Sequence, residues 1–295
     1  MGLNVPAHYV TQYSTNVQLL LQQKGSKLRD TVSIGMHTGE AAVPVEQIGA
    51  IEAKVRAGRG APVVFTDSPE TRRWVYPTDY DTDAEIVDSA DKLRMLIDPQ
   101  SSYVTNAVYA LGRKMDDVII AAATATSNIG KTGSSTEAFD TATYQVTGSI
   151  GGTNSGLNVA KLRRAKRMLE EAFVDLEQEQ PTLVISAKQH DDLLNEIQVV
   201  SSDFNPQPVL VDGMVTRFMG FNIKRSQRLT FSTTRRVLAY VKSGIHLGMW
   251  NDIKTDVSER ADLVGKPTQV YAMGTFGATR IEQGKVIEID RKSVV

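Results

Sequence analysis

One stretch of this sequence limits the fold more than any other, because its apolar residues repeat with the period of one helix face. Alternating steps of four and three separate six apolar positions: Val104, Val108, Leu111, Met115, Val118 and Ala122. This spacing predicts an amphipathic helix, and Ser101 or Ser102 can cap its N-terminus. A helix over 102–125 would be roughly 36 Å long at 1.5 Å per residue. It is too short for a free coiled coil, so we predict a long helix that packs on a sheet.

Shorter elements are predicted on both sides of this helix. Before it we expect a short amphipathic helix over Ser14–Asp30 and an extended hairpin or arm over Val43–Pro77. After it we expect a loop or mobile arm (126–157), a second helix (Asn158–Leu176), a buried strand (Thr182–Ser186), a third helix (Ala187–Ile197) and a tight hairpin turn (Asp212-Gly213).

The last third of the chain is predicted to be mostly strand, with Gly284 turning the final hairpin. Four segments carry the strand pattern: 235–241, 245–250, 268–281 and 285–289. No internal repeat and no second independent domain is visible in the sequence. The predicted fold class is therefore α+β.

The second helix carries its charges in the order that a helix dipole disfavours. Its apolar stripe comprises Val159, Leu162, Leu169, Phe173 and Leu176. Basic residues fill the first turns, Lys161, Arg163, Arg164, Lys166 and Arg167, and acidic residues follow, Glu170, Glu171, Asp175 and Glu177. The dipole prefers the reverse order by roughly 0.3–1 kcal/mol per exposed charge. We expect groups outside this helix to bind the cations.

Charge is also segregated before the long helix, although the whole chain carries a formal charge of only -1. Residues 54–73 hold five basic and two acidic residues, a net of +3. Residues 79–91 hold six acidic residues and no Lys or Arg, a net of -6. The near-neutral total disfavours a dedicated nucleic-acid binder or a protein bound to anionic membranes.

Composition narrows the protein class further. With 41% apolar residues the chain can build a real core, and with no cysteine it can hold neither disulfides nor thiolate metal sites. Aromatic residues make up 6% and do not interleave with the basic ones, which disfavours a stacking platform for single-stranded nucleic acid. No signal peptide or long apolar run is present, so we expect a protein that is soluble in the cytoplasm when made.

The sequence contains no convincing catalytic, cofactor or metal site. The four histidines, His8, His37, His190 and His246, stand far apart in unrelated contexts. His190 with Asp191 and Asp192 could ligate a metal, but three consecutive helical residues point in different directions.

Two further patterns suggest ligand sites only weakly. Gly130-Lys131-Thr132 resembles the end of a phosphate-binding loop, yet the required first glycine would fall at Ala125 and a helix precedes it. The acidic run Asp79–Asp91 lacks the glycine and the terminal glutamate of a calcium loop. We expect a non-enzymatic protein without a cofactor.

Several stretches resemble one family, the major capsid proteins of tailed bacteriophages that have the Johnson fold, also called the Hong Kong 97 fold. The similarity lies in YSTNVQLLLQQKGSKLRDTV (13–32), RRWVYPTDYD (72–81), KLRMLIDPQSSYVTNAVYALGRKMDDVIIAAATAT (92–126) and the segment from VLAYVKSGIHLGMW to GKVIEI (237–289). It covers most of the chain, but residues 127–157 and about 198–208 carry little of it.

The resemblance implies a division of the chain into six regions. They are an N-terminal arm (1–40), a region containing the extended E-loop (41–98), the spine helix of the peripheral domain (99–126), the axial domain (127–235), return strands and a loop of the peripheral domain (236–275), and closing axial strands with the C-terminus (276–295). The loop in SERADLVGKP (258–267) resembles the one that meets its copies at three-fold positions.

The resemblance also implies a function: a head protein that assembles with itself into the pentamers and hexamers of an icosahedral shell enclosing the genome. Implied partners are a portal protein and packaged double-stranded DNA without sequence specificity, and not a membrane. Whether scaffolding and decoration proteins take part stays open. The implied location is the virion, and the host cytoplasm during assembly.

Charged residues are our candidates for inter-subunit contacts, on the hypothesis that the acidic segment and the basic helix face find opposite charge on adjacent subunits. They are Arg72, Arg73, Asp79, Asp81, Asp83, Glu85, Lys161, Arg163, Arg164, Arg167, Glu259, Arg260, Asp262 and Lys266. Two alternatives remain: an encapsulin-type nanocompartment shell, which shares the fold, and an oligomeric nucleotide-binding enzyme, which would have to use Gly130-Lys131-Thr132.

Overall fold

The computed structural model describes residues 21–55, 58–59, 70–87, 100–150, 156–196, 214–229 and 235–289. The helices in this part of the chain are α1 (Gln100–Thr124), α2 (Thr141–Tyr144), α3 (Val159–Glu171) and α4 (Ala187–Leu194). The strands are β1 (Ser33–Met36), β2 (Ala42–Ile48), β3 (Glu70–Val75), β4 (Thr78–Asp81), β5 (Glu85–Val87), β6 (Ser127–Ile129), β7 (Ser135–Glu137), β8 (Gln145–Val146), β9 (Thr182–Ile185), β10 (Arg217–Phe218), β11 (Phe221–Arg225), β12 (Val237–Tyr240), β13 (Ile245–Glu259), β14 (Thr268–Arg280) and β15 (Val286–Ile289). Short 3-10 helices lie at Arg29–Thr31, Lys242–Gly244 and Gln283–Lys285.

The chain divides into two compact units, each assembled from three separate segments. The smaller unit comprises Met1–Gly25, Asp79–Arg113 and Asp252–Gly274, and the larger one Ser26–Thr78, Lys114–Asn251 and Thr275–Val295. Because the segments interleave, no single boundary in the sequence separates the units. For this reason a second unit is not visible as a separate stretch of the sequence.

The main core lies in the larger unit, around a six-stranded sheet of order β10-β11-β9-β12-β15-β8. β9 is parallel to β11 and antiparallel to β12, with Leu183 opposite both Ile223 and Ala239. Buried side chains of α3, including Leu162 and Leu169, join the same hydrophobic cluster as these strands. The apolar stripe of α3 is buried against the sheet because its residues recur at helical spacing on one face.

A second sheet in the larger unit contains the predicted hairpin. Its order is β2-β3-β6-β7, and every neighbouring pair is antiparallel. The pairing of β2 with β3 runs from Ala42 opposite Val75 to Ile48 opposite Glu70, with a register shift between Ala42 and Val45. β6 and β7 therefore complete the sheet that the hairpin begins.

The third sheet has the order β1-β13-β14-β4, with β5 paired to β14. In the larger unit, β1 is parallel to the first part of β13, so Ser33 lies opposite His246. In the smaller unit, β5 is antiparallel to the first part of β14, so Val87 lies opposite Thr268.

Most of the predicted elements are confirmed. The long helix is observed at Gln100–Thr124, with Leu111, Met115 and Ala122 buried on its predicted apolar face. The hairpin, the helices α3 and α4, the strand β9 and the four strands β12–β15 are also present. The α+β class is confirmed, whereas the predicted turn at Asp212-Gly213 lies outside the described residues.

Two predicted segments are wrong. Residues 21–28 are not helical, and residues 14–20 of that predicted helix lie outside the described residues. The amides of Lys27 and Leu28 bond to the Asp116 carboxylate, so these two amides are not used by a helix. Residues 126–157 are not simply loop, because β6, β7, α2 and β8 form there. Pairing of β6 with β3 supplies backbone partners that local composition could not indicate.

Candidate assembly surfaces

The two arginines of the hairpin, predicted as inter-subunit contacts, have partners within the chain. Arg72 on β3 lies 2.8 Å from Glu46 on β2. Arg73 is 7% exposed and forms an ion pair with Glu137 on β7. Because Arg73 is buried, it is not part of the surface of this chain, which corrects its assignment as a contact residue.

Arg280 is fully buried near the end of α1, behind the Arg73 pair. Its Nη1 donates to the carbonyls of Ala123 and Ala125, at 3.0 and 2.8 Å, and its guanidinium lies 5.1 Å from the centre of the Phe139 ring. Carbonyls at a helix C-terminus lack intrahelical partners, so a cation there is favourable. Burial and the nearby charge of Arg73 lower the pKa of Arg280 to about 10, which leaves it protonated at neutral pH.

Residues 79–87 of the predicted acidic segment lie on β4, β5 and the turn between them, in the smaller unit, and residues 88–91 lie outside the described residues. The four described candidate residues of this segment are exposed: Asp79, Asp81, Asp83 and Glu85. Within the described part of the chain, no ion pair reaches Asp81, Asp83 or Glu85. Asp81, Asp83 and Glu85 thus form an acidic strand surface that no ion pair from the described residues neutralises.

The turn over 260–267 connects β13 to β14 and has a fixed shape. The Arg260 guanidinium donates twice to Asp262, at 2.7 and 2.6 Å, and the Arg260 amide bonds to the Pro267 carbonyl at 2.9 Å. The hydrogen bonds from the Arg260 guanidinium lower the pKa of Asp262 to about 2.

This turn carries exposed charged and apolar groups. The candidate contact residues Glu259, Asp262 and Lys266 are exposed, and Arg260 is partly exposed. Val264 at the tip is fully exposed. The turn thus presents an apolar side chain on a backbone that hydrogen bonds already hold in place. A partner surface can cover this side chain with little loss of conformational entropy.

Helix α3 begins at the predicted cap, where the Asn158 side chain accepts from the Lys161 amide at 2.9 Å. Lys161 itself is 0% exposed, so it is not part of an exposed basic face, and its assignment as a contact residue is corrected. The first helical turn faces the core on this side, which buries the side chain. Arg163 and Arg167 are exposed, while Arg164 and Lys166 are partly exposed.

The sequence placed Phe173 in the apolar stripe of the second helix. In the structure Phe173 is 96% exposed, so this assignment is wrong. The helix ends at Glu171, and Phe173 adopts a φ of 58°. Its amide bonds to the Glu170 carbonyl at 3.0 Å, and the Val174 amide bonds to the Leu169 carbonyl at 3.1 Å. This is a Schellman ending with phenylalanine where glycine is usual.

The sequence interpretation of four unrelated histidines is wrong for two of them. The Nε2 atoms of His37 and His246 are 2.9 Å apart, and Ser33 Oγ lies 3.1 Å from His246 Nδ1. Because Ser33 Oγ donates to the Ile245 carbonyl at 2.9 Å, it accepts from Nδ1 of His246. That tautomer leaves Nε2 of His246 as the acceptor for His37. Burial, and then the nearby His37, lower the pKa of His246 to about 4.

Two paired glycines make room for these rings. Gly35 and Gly248 lie opposite each other in β1 and β13. A Cβ at Gly35 would lie 2.9 Å from His246, and one at Gly248 would lie 2.9 Å from His37. The sequence contained the glycines, but only the parallel register brings them beneath the two imidazoles.

The phosphate-loop interpretation of Gly130-Lys131-Thr132 does not fit its position. These residues turn the β6–β7 hairpin, and the Gly130 carbonyl accepts from Trp74 Nε1 at 2.7 Å. A phosphate loop joins a strand to a helix N-terminus, whose amides bind the phosphates. Here the turn joins two antiparallel strands, so it does not lead into a helix N-terminus whose amides could bind a phosphate.

The proposed metal ligands on α4 point to different partners. His190 Nε2 accepts from the Val215 amide at 3.2 Å, and Asp192 accepts from the Leu157 amide at 3.2 Å. In the described part of the chain no group of three or more His, Cys, Asp or Glu residues could hold a metal ion. Nor does any described helix combine the length and apolarity needed to cross a membrane.

The family model of phage capsid proteins matches residues 5–292 of this sequence. The chain belongs to the phage capsid protein family. No curated protein matches it. As a member of this family it is a structural component of the virion.

Solved phage capsids share the fold of this capsid protein. The capsid of the cyanophage P-SCSP1u is 14% identical, with a TM-score of 0.74 over 96% of this chain and 92% of that one. The capsid of the cyanophage Pam1 is 12% identical, with a TM-score of 0.73 over 98% of both chains. The capsid of a native GTA particle is 11% identical, with a TM-score of 0.69 over 96% of this chain and 95% of that one.

Proposed function

We propose that this capsid protein builds the icosahedral shell of a tailed phage, as pentamers and hexamers that enclose double-stranded DNA. The observation that carries the proposal is the family match over 5–292, combined with the shared fold of solved capsids over nearly their whole length. The subunit is made in the host cytoplasm and ends in the virion.

The exposed surfaces support assembly as the function. Closed shells repeat each contact many times, so contacts that contribute only about 0–1 kcal/mol each suffice, and wrongly placed subunits can dissociate. The acidic strands at 79–85, the basic residues of α3 and the 260–267 turn each present groups to neighbouring copies. We assign the remaining exposed candidates, from Asp79 to Lys266, to such contacts.

The regional division inferred from the sequence is part of the same proposal. The hairpin β2–β3 supports an E-loop within 41–98, and α1 supports the spine helix within 99–126. The six-stranded sheet around α3 and α4 supports an axial domain within 127–235, closed by strands within 276–295, although its strand β12 lies just beyond the first of these bounds. The preceding residues 1–40 form the N-terminal arm, and 236–275 return to the peripheral domain.

Further partners follow from the role of a genome container. A formal charge of -1 supports DNA packaging without tight or sequence-specific binding. A portal protein occupies one vertex of the shell, and the DNA enters there.

Electron microscopy of the purified, overexpressed protein tests the proposal. We expect closed shells or rings of five and six subunits. A protein that stays monomeric at high concentration, with and without the other head proteins of its phage, would contradict it.

A further inference from the structure

The exposed face of α3 is basic near its start, and acidic residues follow at its end and in the turn after it. We define the basic surface as Arg163, Arg164, Lys166 and Arg167, and the acidic end as Glu170, Glu171, Asp175 and Glu177. Arg163, Arg167, Glu170 and Glu171 are all exposed, and they lie on the face opposite the buried Leu162 and Leu169. Within the helix, the basic surface is centred roughly 8 Å along the axis from Glu170 and Glu171, at 1.5 Å per residue.

Among the described residues, one ion pair joins the basic surface to the acidic end. Arg167 Nε lies 2.7 Å from Glu171, one helical turn away. Within the described residues, Arg163, Arg164, Lys166, Glu170 and Glu177 have no ion pair. Apart from Arg167, the basic surface is therefore centred in the first half of the helix, where the dipole disfavours it, without an ion pair to the described residues.

Phe173 stands at the acidic end, and the local backbone disfavours it there. A bulky residue at a φ of 58° is strained, and glycine would occupy this position without strain. Its ring is 96% exposed, so the folded subunit gains little from its apolar surface. A residue that is unfavourable in both respects points to a contact outside the subunit.

We propose that the basic surface of one copy binds the acidic end of the next copy, with Phe173 as the apolar anchor of the contact. This inference rests on the proposed function, because it identifies which surfaces join subunits within a ring. The partner is a second copy, since each chain carries both complementary charges. In a ring each copy offers its basic surface to one neighbour and its acidic end to the other, so the contact is heterologous, and such contacts form a ring when the rotation between copies closes.

Replacing Phe173 separates the contact from the fold. Phe173→Gly removes the ring and relieves the positive φ, so the subunit should unfold at equal or higher urea concentration while ring and shell formation falls about tenfold. Phe173→Tyr retains an aromatic anchor and should assemble within about twofold of the unmodified protein. Equal assembly of the glycine variant and the unmodified protein would overturn the inference.

Charge reversal identifies the two surfaces. Arg163→Glu with Arg164→Glu changes the formal charge of the basic surface from +4 to 0, and Glu170→Arg with Glu177→Arg changes that of the acidic end from -4 to 0. Each double variant should fail to assemble alone, because one side of every contact loses its net charge and its reversed residues meet like charges. Mixed in equal amounts, the two should assemble again by alternating, and alternation closes only rings with an even number of subunits. We therefore expect the mixture to restore hexamers and not pentamers, by electron microscopy and native mass spectrometry.

The outcomes separate this inference from the proposed function. An unmodified protein that never assembles would overturn both. Normal assembly of the Glu170→Arg, Glu177→Arg variant, together with failure of the Arg163→Glu, Arg164→Glu variant, would overturn the inference alone and assign the basic surface to other acidic residues, such as those at 79–85. A mixture that remains unassembled would also overturn it.

Discussion

The interior of the larger unit differs from the exposed turns of the chain: a buried polar group is hydrogen-bonded inside, whereas apolar side chains face solvent outside. Inside, the Asp116 carboxylate is 0% exposed and accepts from Ser26 Oγ at 2.5 Å and from two backbone amides. Outside, Phe173 and Val264 are exposed on turns of defined shape. The comparison teaches that a buried carboxylate finds its partners within the chain, whereas these two exposed apolar side chains have no covering surface among the described residues.

The largest effect should come from breaking an interior contact. Asp116→Ala leaves the Ser26 hydroxyl and the amides of Lys27 and Leu28 without their acceptor, so we expect the free energy of unfolding to fall by about 3 kcal/mol. Urea unfolding measures this. Asp117→Ala is the matched control, because the Asp117 pair with Arg228 is only partly buried and should contribute about 1 kcal/mol or less. Equal losses in the two variants would contradict the distinction between inside and outside.

Acid should weaken the same interior. His246 has a pKa of about 4 in the folded chain and about 6.5 when unfolded. The unfolded state therefore binds the proton first, and the stability present above pH 6.5 is lost as the pH falls toward 4. Between pH 7.5 and 5.0 we expect a loss of about 2 kcal/mol, measured by urea unfolding at each pH.

A variant that cannot be protonated there checks the cause. His246→Gln should show a flatter pH dependence over this range, because residue 246 no longer titrates. A profile as steep as that of the unmodified protein would mean that other groups cause the loss.

Phe173→Gly should act in the opposite direction and more weakly. Because glycine adopts a positive φ without strain, the free energy of unfolding should rise by about 1 kcal/mol. Thermal unfolding of the unassembled subunit measures it. A loss of stability would show that Phe173 packs within its own chain.

Val264→Ser should have the smallest effect on the subunit. The side chain is fully exposed, so the free energy of unfolding should change by less than about 0.5 kcal/mol. Assembly yield should nevertheless fall if the 260–267 turn meets a neighbour, and Val264→Ile should preserve it. Unchanged assembly of the serine variant would exclude this turn from the contacts.

The sequence predicted what local patterns determine. Apolar spacing identified α1, and the Asn158 cap marked the beginning of α3. It missed what depends on distant residues. Residues 21–28 are not helical, and the Leu28 amide bonds to the Asp116 carboxylate instead. The His37–His246 pair depends on the register of two strands that are far apart in the chain. The predicted contact residues fared similarly, because the burial of Lys161 and Arg73 depends on which face meets the core.

The charge order of α3 is the sequence signal that indicated a contact near Phe173. The reversed charge order of α3 already indicated groups outside the helix, and that order continues to the residue where the helix ends. Only the positive φ and the exposed ring show that the apolar stripe stops before Phe173.

Hydrogen exchange measured by mass spectrometry, on the separate subunit and on the assembled particle, tests the central claim most directly. We expect assembly to slow exchange at the end of α3, in the 260–267 turn and in the strands around 79–85. Exchange in the six-stranded sheet of the larger unit should already be slow in the separate subunit. If the exposed segments exchange equally in both forms, or if the separate subunit already protects them, the claim that they await another copy is wrong.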